Sequence, residues 1–309
     1  MSANEYVLCA DPVAVVAAVP ALSSHPHLVV DCEGDQLGCK GGRLSLLTIR
    51  AASDDSAPTY IFDLLRLKRW NMRRVFGLLR DASHVKVVFD GRMDYSALWH
   101  EYDVAMVGVI DMQLADLHSR RARGETEAKR FGRLAAYLPQ NMLKKKSGEC
   151  RALTRLSGLA SCVQEHLRSN ESKGSVDHKR WLERPLSSEQ LGYAAKDVRL
   201  IGRIYEHFKA HNYLAENLPE QSERYVTHWK AGRPDKDRYF NSHCLLPLDI
   251  IDYDARRPTK RCDGCERLLA TRCFPRETTS SDGIYCWVCN AVLRKKEHDK
   301  RKKRGKRRR

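Results

Sequence analysis

The sequence has no apolar run approaching the ~18–20 residues of a membrane-spanning helix, so no membrane partner is expected. Its first residues, MSANEYVLCADPVAVV, lack the basic n-region and small-residue cleavage site of a secretory signal. That fits an intracellular protein with reduced thiols. No internal repeat is visible, which sets solenoids and propellers aside. Aromatic residues are few, at 8%, but 42% of the 309 residues are hydrophobic, enough for one large core and a second small one. Acidic residues are scarce beside basic ones, 39 against 55, and the net charge is +16. Residues 294–309 hold 12 Lys/Arg and 2 Asp/Glu, so +10 of that charge is a property of the C-terminal end. Such a tail suits polyanions or nuclear import, and it is expected to be disordered.

Between residues 27 and 110 the pattern is α/β. HLVVD (27–31), RLSLLTIR (43–50), TYIFD (59–63), VKVVF (85–89) and MVGVI (106–110) read as strands. WNMRRVFGLLR (70–80) has helical spacing, and DYSALWHEY (94–102) reads as a short helix. The expected fold is a mixed five-stranded sheet with helices on its faces. Beyond 111 the chain turns helical, with Asp111 as an N-cap and amphipathic helices over 158–167 and 187–211. Residues 120–151 are strongly basic and read as a surface excursion. Residues 213–258 read as a linker packing on or near the first domain, which is taken as 1–212.

Four acidic positions stand out. Asp31 and Glu33 end the first strand, Asp94 follows the fourth, and Asp197 lies on the last long helix, one turn after Tyr193. Taken singly, these are ordinary turn, cap and core residues. Gathered together, hard oxygen donors of this kind suit Mg²⁺ or Mn²⁺. Two such ions can activate water and stabilise the leaving oxygen of a phosphodiester. Gly34 and Gly38 are expected to break the strand, which leaves Asp35 outside the site.

These residues resemble the DEDDy branch of the 3′–5′ exonucleases, which includes RNase D and Werner-type exonuclease domains. DCEGDQLGCKGGRLSLLTIR is similar to the first family motif, VKVVFDGRMDYSALW to the second and WLERPLSSEQLGYAAKDVRLIGRIY to the third. The extended D-x-E-G-D-x-L-G form resembles the Egalitarian-type subgroup. The likeness covers roughly residues 5–212. It implies an RNase H-like fold, two catalytic Mg²⁺ or Mn²⁺ ions, and a nucleic acid with a 3′ end as substrate. By the same likeness Asp31 would bridge both ions, and Glu33 and Asp197 would complete the site of the attacking water. Asp94 would support the second ion through water, and Tyr193 would position the attacking water. The family commonly carries His or Asn near Asp90. Asp94 is preferred to Asp90 because Gly91 and Leu98 then also match. Some Egalitarian-type relatives have lost their acids and only bind RNA, so an inactive binding scaffold is the alternative reading.

Eleven cysteines are unevenly spread, and five fall within residues 262–289. Cys262, Cys265, Cys286 and Cys289 form C-x₂-C-x₂₀-C-x₂-C, a spacing that suits one structural tetrahedral Zn²⁺. A zinc module over 259–293 is therefore expected, with Cys273 a bystander. The other six cysteines read as ordinary core or surface residues. With the basic tail behind it, the module suits a nucleic-acid grip, and the tail reads as a nuclear localisation signal.

Overall fold

The computed structural model describes residues 6–53, 56–138, 140–144, 148–169, 171, 176–236, 244–250, 252–275 and 283–307. It divides into two units, Met1–Ser119 with Ser157–Lys236, and Arg120–Leu156 with Asp237–Arg309. No described helix is long and apolar enough to cross a membrane.

In the first unit β1 (Tyr6–Cys9) leads into α1 (Pro12–Ser23), whose start is set by Asp11. The Asp11 carboxylate accepts from the Val13 and Ala14 amides at 2.9 and 3.0 Å, and Pro12 lacks the N–H that would need a partner. Next come β2 (His27–Asp35), β3 (Arg43–Ala51), β4 (Thr59–Asp63), α2 (Arg73–Arg80), β5 (Val85–Val88), α3 (Arg92–Tyr102), β6 (Val109–Asp111) and α4 (Met112–Ala122). After the second unit's insertion follow α5 (Leu159–Leu167), α6 (Ser188–Ala210) and α7 (Leu218–Val226). Among the described residues the sheet has six strands in the order β1-β4-β3-β2-β5-β6. The β2–β3 and β3–β4 pairs are antiparallel and the others parallel.

The five-strand expectation is thus corrected to six. The additional strand, β1, has four residues on the sheet edge, with Val7 and Leu8 exposed. A strand that short and open has no clear alternation to read. The α6 expectation matches closely. Ser187 and Gln190 form a capping box at its start, and the helix lies so close to the sheet that a Cβ at Gly202 would be 3.3 Å from the Ala52 carbonyl just past β3 and 3.5 Å from the Val29 side chain of β2.

β2 does not break at Gly34. It continues to Asp35 through a bulge between Glu33 and Gly34. A Cβ at Gly34 would sit 2.3 Å from the Arg43 carbonyl, so glycine is what lets the strands stay paired through the bulge. Gly38 has φ +70°, a Cβ added there would lie 2.6 Å from the Met93 carbonyl oxygen, and its own carbonyl accepts from the Ser96 hydroxyl at 2.7 Å. The loop after the bulge is thereby tied to the start of α3.

The expected domain boundaries also change. The first unit runs to Lys236 rather than 212, because α7 buries Leu218, Gln221, Ser222, Tyr225 and Val226. Ser222 Oγ accepts from the Asp111 amide at 2.9 Å. Residues 120–156 are not a bare surface excursion but one of the two segments that make up the second unit. Phe131, Leu134, Leu138, Leu143 and Leu153 join one apolar cluster with all five C-terminal cysteines, Leu269, Phe274, Val288 and Val292. The strand Leu153–Arg155 pairs antiparallel with Leu245–Pro247. Nor is 294–307 disordered: Trp287–Arg307 is one helix. Val288, Ala291 and Val292 are buried at helical spacing and start it, and Lys and Arg are good helix formers that carry it onward.

Candidate active site

β2 is a central strand, and its period of two places Asp31 and Glu33 on one face. Asp197 reaches them from α6. Carboxylate oxygens of Asp31, Glu33 and Asp197 all lie within 4.8 Å of one another. Glu33 and Asp197 are buried and Asp31 is half-buried. Asp94, in the first turn of α3, is buried beside the same strand, and its Oδ1 accepts from the Cys32 amide at 3.0 Å. Burial, then the negative charges of Asp31 and Asp90, push the Asp94 carboxyl well above the usual carboxylate range. The structure therefore gathers three of the four sequence-selected acids into one oxygen cluster and sets the fourth against its central strand.

Asp90 lies elsewhere in this arrangement. Its backbone is left-handed, at φ +57°, and its carboxylate accepts from Arg92 Nε and Nη2 at 2.6 and 2.8 Å. The Tyr225 hydroxyl donates to it at 3.3 Å and to Gln113 Oε1 at 2.8 Å. Asp111 closes this network by accepting from the Asp90, Gly91 and Gln113 amides. Burial and the nearby Asp90 charge still push Asp111 up to about 7. Asp35 follows the bulge opposite Arg43 and is outside the oxygen cluster.

Tyr193 is half-buried on α6, with His178 edge-on at 5.9 Å and Trp181 at 6.1 Å. Trp181 is fully buried, and its segment is pinned by Arg184. That guanidinium donates to both Asp63 oxygens at 2.6 and 2.7 Å, to Ser45 Oγ at 2.9 Å and to the Trp181 carbonyl at 2.9 Å. Asp63 stands opposite Leu46, which stands opposite Glu33, so the clamp and the carboxylates share one row across the sheet. Sequence reasoning quoted the W-x-x-R-P-L stretch but did not single out His178, Asp63 or Arg184. The Asp63 partner lies 121 positions away, beyond any local signal. Asp63→Asn is expected to destabilise the first unit by about 3 kcal/mol, because it strands a mostly buried arginine. Urea unfolding followed by tryptophan fluorescence measures this.

The carboxylate cluster fits divalent cations. Its donors are hard oxygens, their crowding of negative charge asks for a counterion, and Thr48 gives a further sign. Thr48 stands directly opposite Asp31, and its buried hydroxyl has no hydrogen-bond partner among the described residues.

In the second unit the Cys262–Cys289 and Cys265–Cys286 sulfurs are 3.6 and 3.9 Å apart, and all four cysteines are buried. A Zn–S bond of about 2.3 Å in a tetrahedron places sulfurs about 3.8 Å apart, so the four thiols fit Zn²⁺. Cys273 is buried in the same core but outside the four-sulfur group, and burial pushes its thiol up to about 12.

A sheet of this order, with acids gathered along the second half of its central strand and a long helix across it, defines an RNase H-like domain. The family is narrower still. A family model described as 3′-5′ exonuclease matches residues 6–211, and the chain belongs to that family, within the DEDDy superfamily. No curated protein sequence matches significantly. Solved structures do. RNase D of Trypanosoma brucei in complex with RNA U12 is 21% identical, with 90% of each chain covered and a TM-score of 0.56. Another structure of RNase D of the same organism is 22% identical over 74% of each chain, with a TM-score of 0.52. The Nibbler EXO domain of Aedes aegypti is 17% identical, with 73% of this chain and 97% of that one covered and a TM-score of 0.50. At these identities the likeness is one of fold.

Proposed function

We propose that this chain is a divalent-cation-dependent 3′–5′ exonuclease that hydrolyses the terminal phosphodiester of a nucleic acid. The observation that carries the reading is the gathering of Asp31, Glu33 and Asp197 oxygens within 4.8 Å, with Asp94 held against Asp31's strand. These four residues would hold two Mg²⁺ or Mn²⁺ ions. Bound there, the ions would lower the pKa of an attacking water and offset charge on the scissile phosphate. The chain's own residues do the rest. By likeness to the DEDDy exonucleases Tyr193 would orient the attacking water, and its packing on His178 and Trp181 limits where its ring can go. The Arg184–Asp63 clamp fixes the Trp181 segment behind that ring, which makes both of them positioning residues.

A free 3′ end is the required substrate feature, and RNA is the first candidate because a fold relative has been captured with RNA U12. The four-cysteine group is assigned a structural Zn²⁺. The basic helix Trp287–Arg307 is assigned to phosphate contacts and, with the residues after it, to nuclear import. The test is digestion of 3′-labelled and 5′-labelled single-stranded oligonucleotides of RNA and DNA with Mg²⁺ or Mn²⁺. Release of label as mononucleotide from the 3′ end alone is expected. Binding without release in either metal would leave the scaffold reading instead.

A further inference from the structure

A second group of metal-ligating side chains lies in the first unit and shares no residue with the carboxylate site. Asp116 of α4 and Cys162 and His166 of α5 bring one ligand atom each to within 4.8 Å of one another. His166 Nε2 is 3.0 Å from Asp116 Oδ1 and 3.3 Å from Ser119 Oγ. Cys162 and His166 are one helical turn apart on α5, and Asp116 and Ser119 are likewise neighbours on α4. Two short helices thus present two donors each. The Asp116 and Cys162 side chains are wholly buried and that of His166 is 2% exposed. Phe208 stands edge-on to the imidazole, 4.6 Å away.

Burying a carboxylate, a thiol and an imidazole together costs least when a cation joins them. A cation satisfies the thiol, the carboxylate and the imidazole together. The mixture of sulfur, nitrogen and oxygen sets its class: a borderline ion such as Zn²⁺, and not the oxygen-seeking Mg²⁺ or Mn²⁺ of the carboxylate site. The geometry points to a buried transition-metal site, of the Zn²⁺ class, held by Asp116, Cys162 and His166, with Ser119 Oγ at the fourth position.

Its place in the chain gives it a role. The chain leaves the first unit after Ser119 and re-enters at Ser157, so the ligands flank the whole insertion. A metal bridging α4 and α5 clips the departing and returning segments together, and cross-links that close long loops restrict the unfolded chain most.

The test counts metal in the full-length chain, purified without chelator and exchanged into magnesium-free buffer. Wild type is expected to hold two zinc ions, one on the four cysteines and one here. Cys162→Ser with His166→Gln is expected to hold one fewer, with the four-cysteine ion retained. A count that the double variant does not change overturns the site, and a hydrogen-bonded Asp–His pair without metal would give that result. A wild-type count of one that falls to zero would keep this site and remove the ion from the four cysteines. Where the double variant fails to fold, Co²⁺ titration of metal-free wild type decides. Two binding steps are expected, one with a four-thiolate charge-transfer band and one with a single-thiolate band, and absence of the single-thiolate step would overturn the assignment.

Discussion

Asp31→Asn is expected to reduce release of terminal nucleotides on the order of 10³-fold while leaving the fold intact. In cation-free buffer it is expected to raise the melting temperature above that of wild type. Both effects have one cause. Asp31 shares its oxygen cluster with Glu33 and Asp197 and contributes to the raised Asp94 carboxyl. Without cations that crowding is a cost to the folded state. The sign is fixed by the direction of the Asp94 shift. A carboxyl raised in the folded state contributes stability fully below its unfolded value, 3.8, and loses it as pH rises through the higher folded value. Cation-free wild type should therefore lose stability as pH climbs above about 4, and Asp31→Asn should flatten that slope. Mn²⁺ should stabilise wild type and leave the variant nearly unchanged. For a unit of this size about 1 kcal/mol moves the melting temperature by about 2–4 °C, which scanning calorimetry resolves. Asp35→Asn is the control. Asp35 lies past the bulge and outside the oxygen cluster, so most activity should remain. Activity retained by Asp31→Asn to the same extent as by Asp35→Asn would remove Asp31 from the chemistry.

How much of this was legible in the sequence follows from the range of each interaction. The α6 boundaries were readable because a capping box is a signal of four residues, and Ser187 with Gln190 supplies it. Asp31 and Glu33 were readable because period two links them within one strand, and Tyr193 with Asp197 because one helical turn does. The end of β2 was misread because glycine marks a bulge as well as a break. Only the neighbouring Arg43 carbonyl, 2.3 Å from a Cβ at Gly34, shows which. The Asp63–Arg184 clamp and the Asp116–Cys162–His166 group were out of reach because their partners are far apart in sequence. The second unit was misdivided for the same reason. Its apolar residues at 131–153 belong with cysteines more than a hundred positions later, and composition reads only the lysines and arginines around them.

The shared core makes the second unit the place for the other large effect. Removing the metal from the four cysteines, by chelation or by Cys286→Ser, is expected to unfold residues 120–156 together with the C-terminal segment. The first unit should keep its own cooperative transition. A zinc module that stood alone over 259–293 would release only itself. Here Phe131, Leu134, Leu138, Leu143, Cys150 and Leu153 bury their side chains in the same cluster as the four cysteine ligands, so neither half has a core of its own. The strand pair Leu153–Arg155 with Leu245–Pro247 ties the halves by backbone as well. A structural Zn²⁺ site contributes on the order of 10 kcal/mol, as much as the whole stability of a typical domain. Its loss leaves no margin for the remaining apolar contacts to hold the insertion. Limited proteolysis reads the result directly: without metal, cleavage sites within 120–156 and within 259–307 should open together, at the same chelator concentration. If 120–156 stays protected while the C-terminal segment is cut, the insertion folds without the metal and the dependence argued from the common core is wrong.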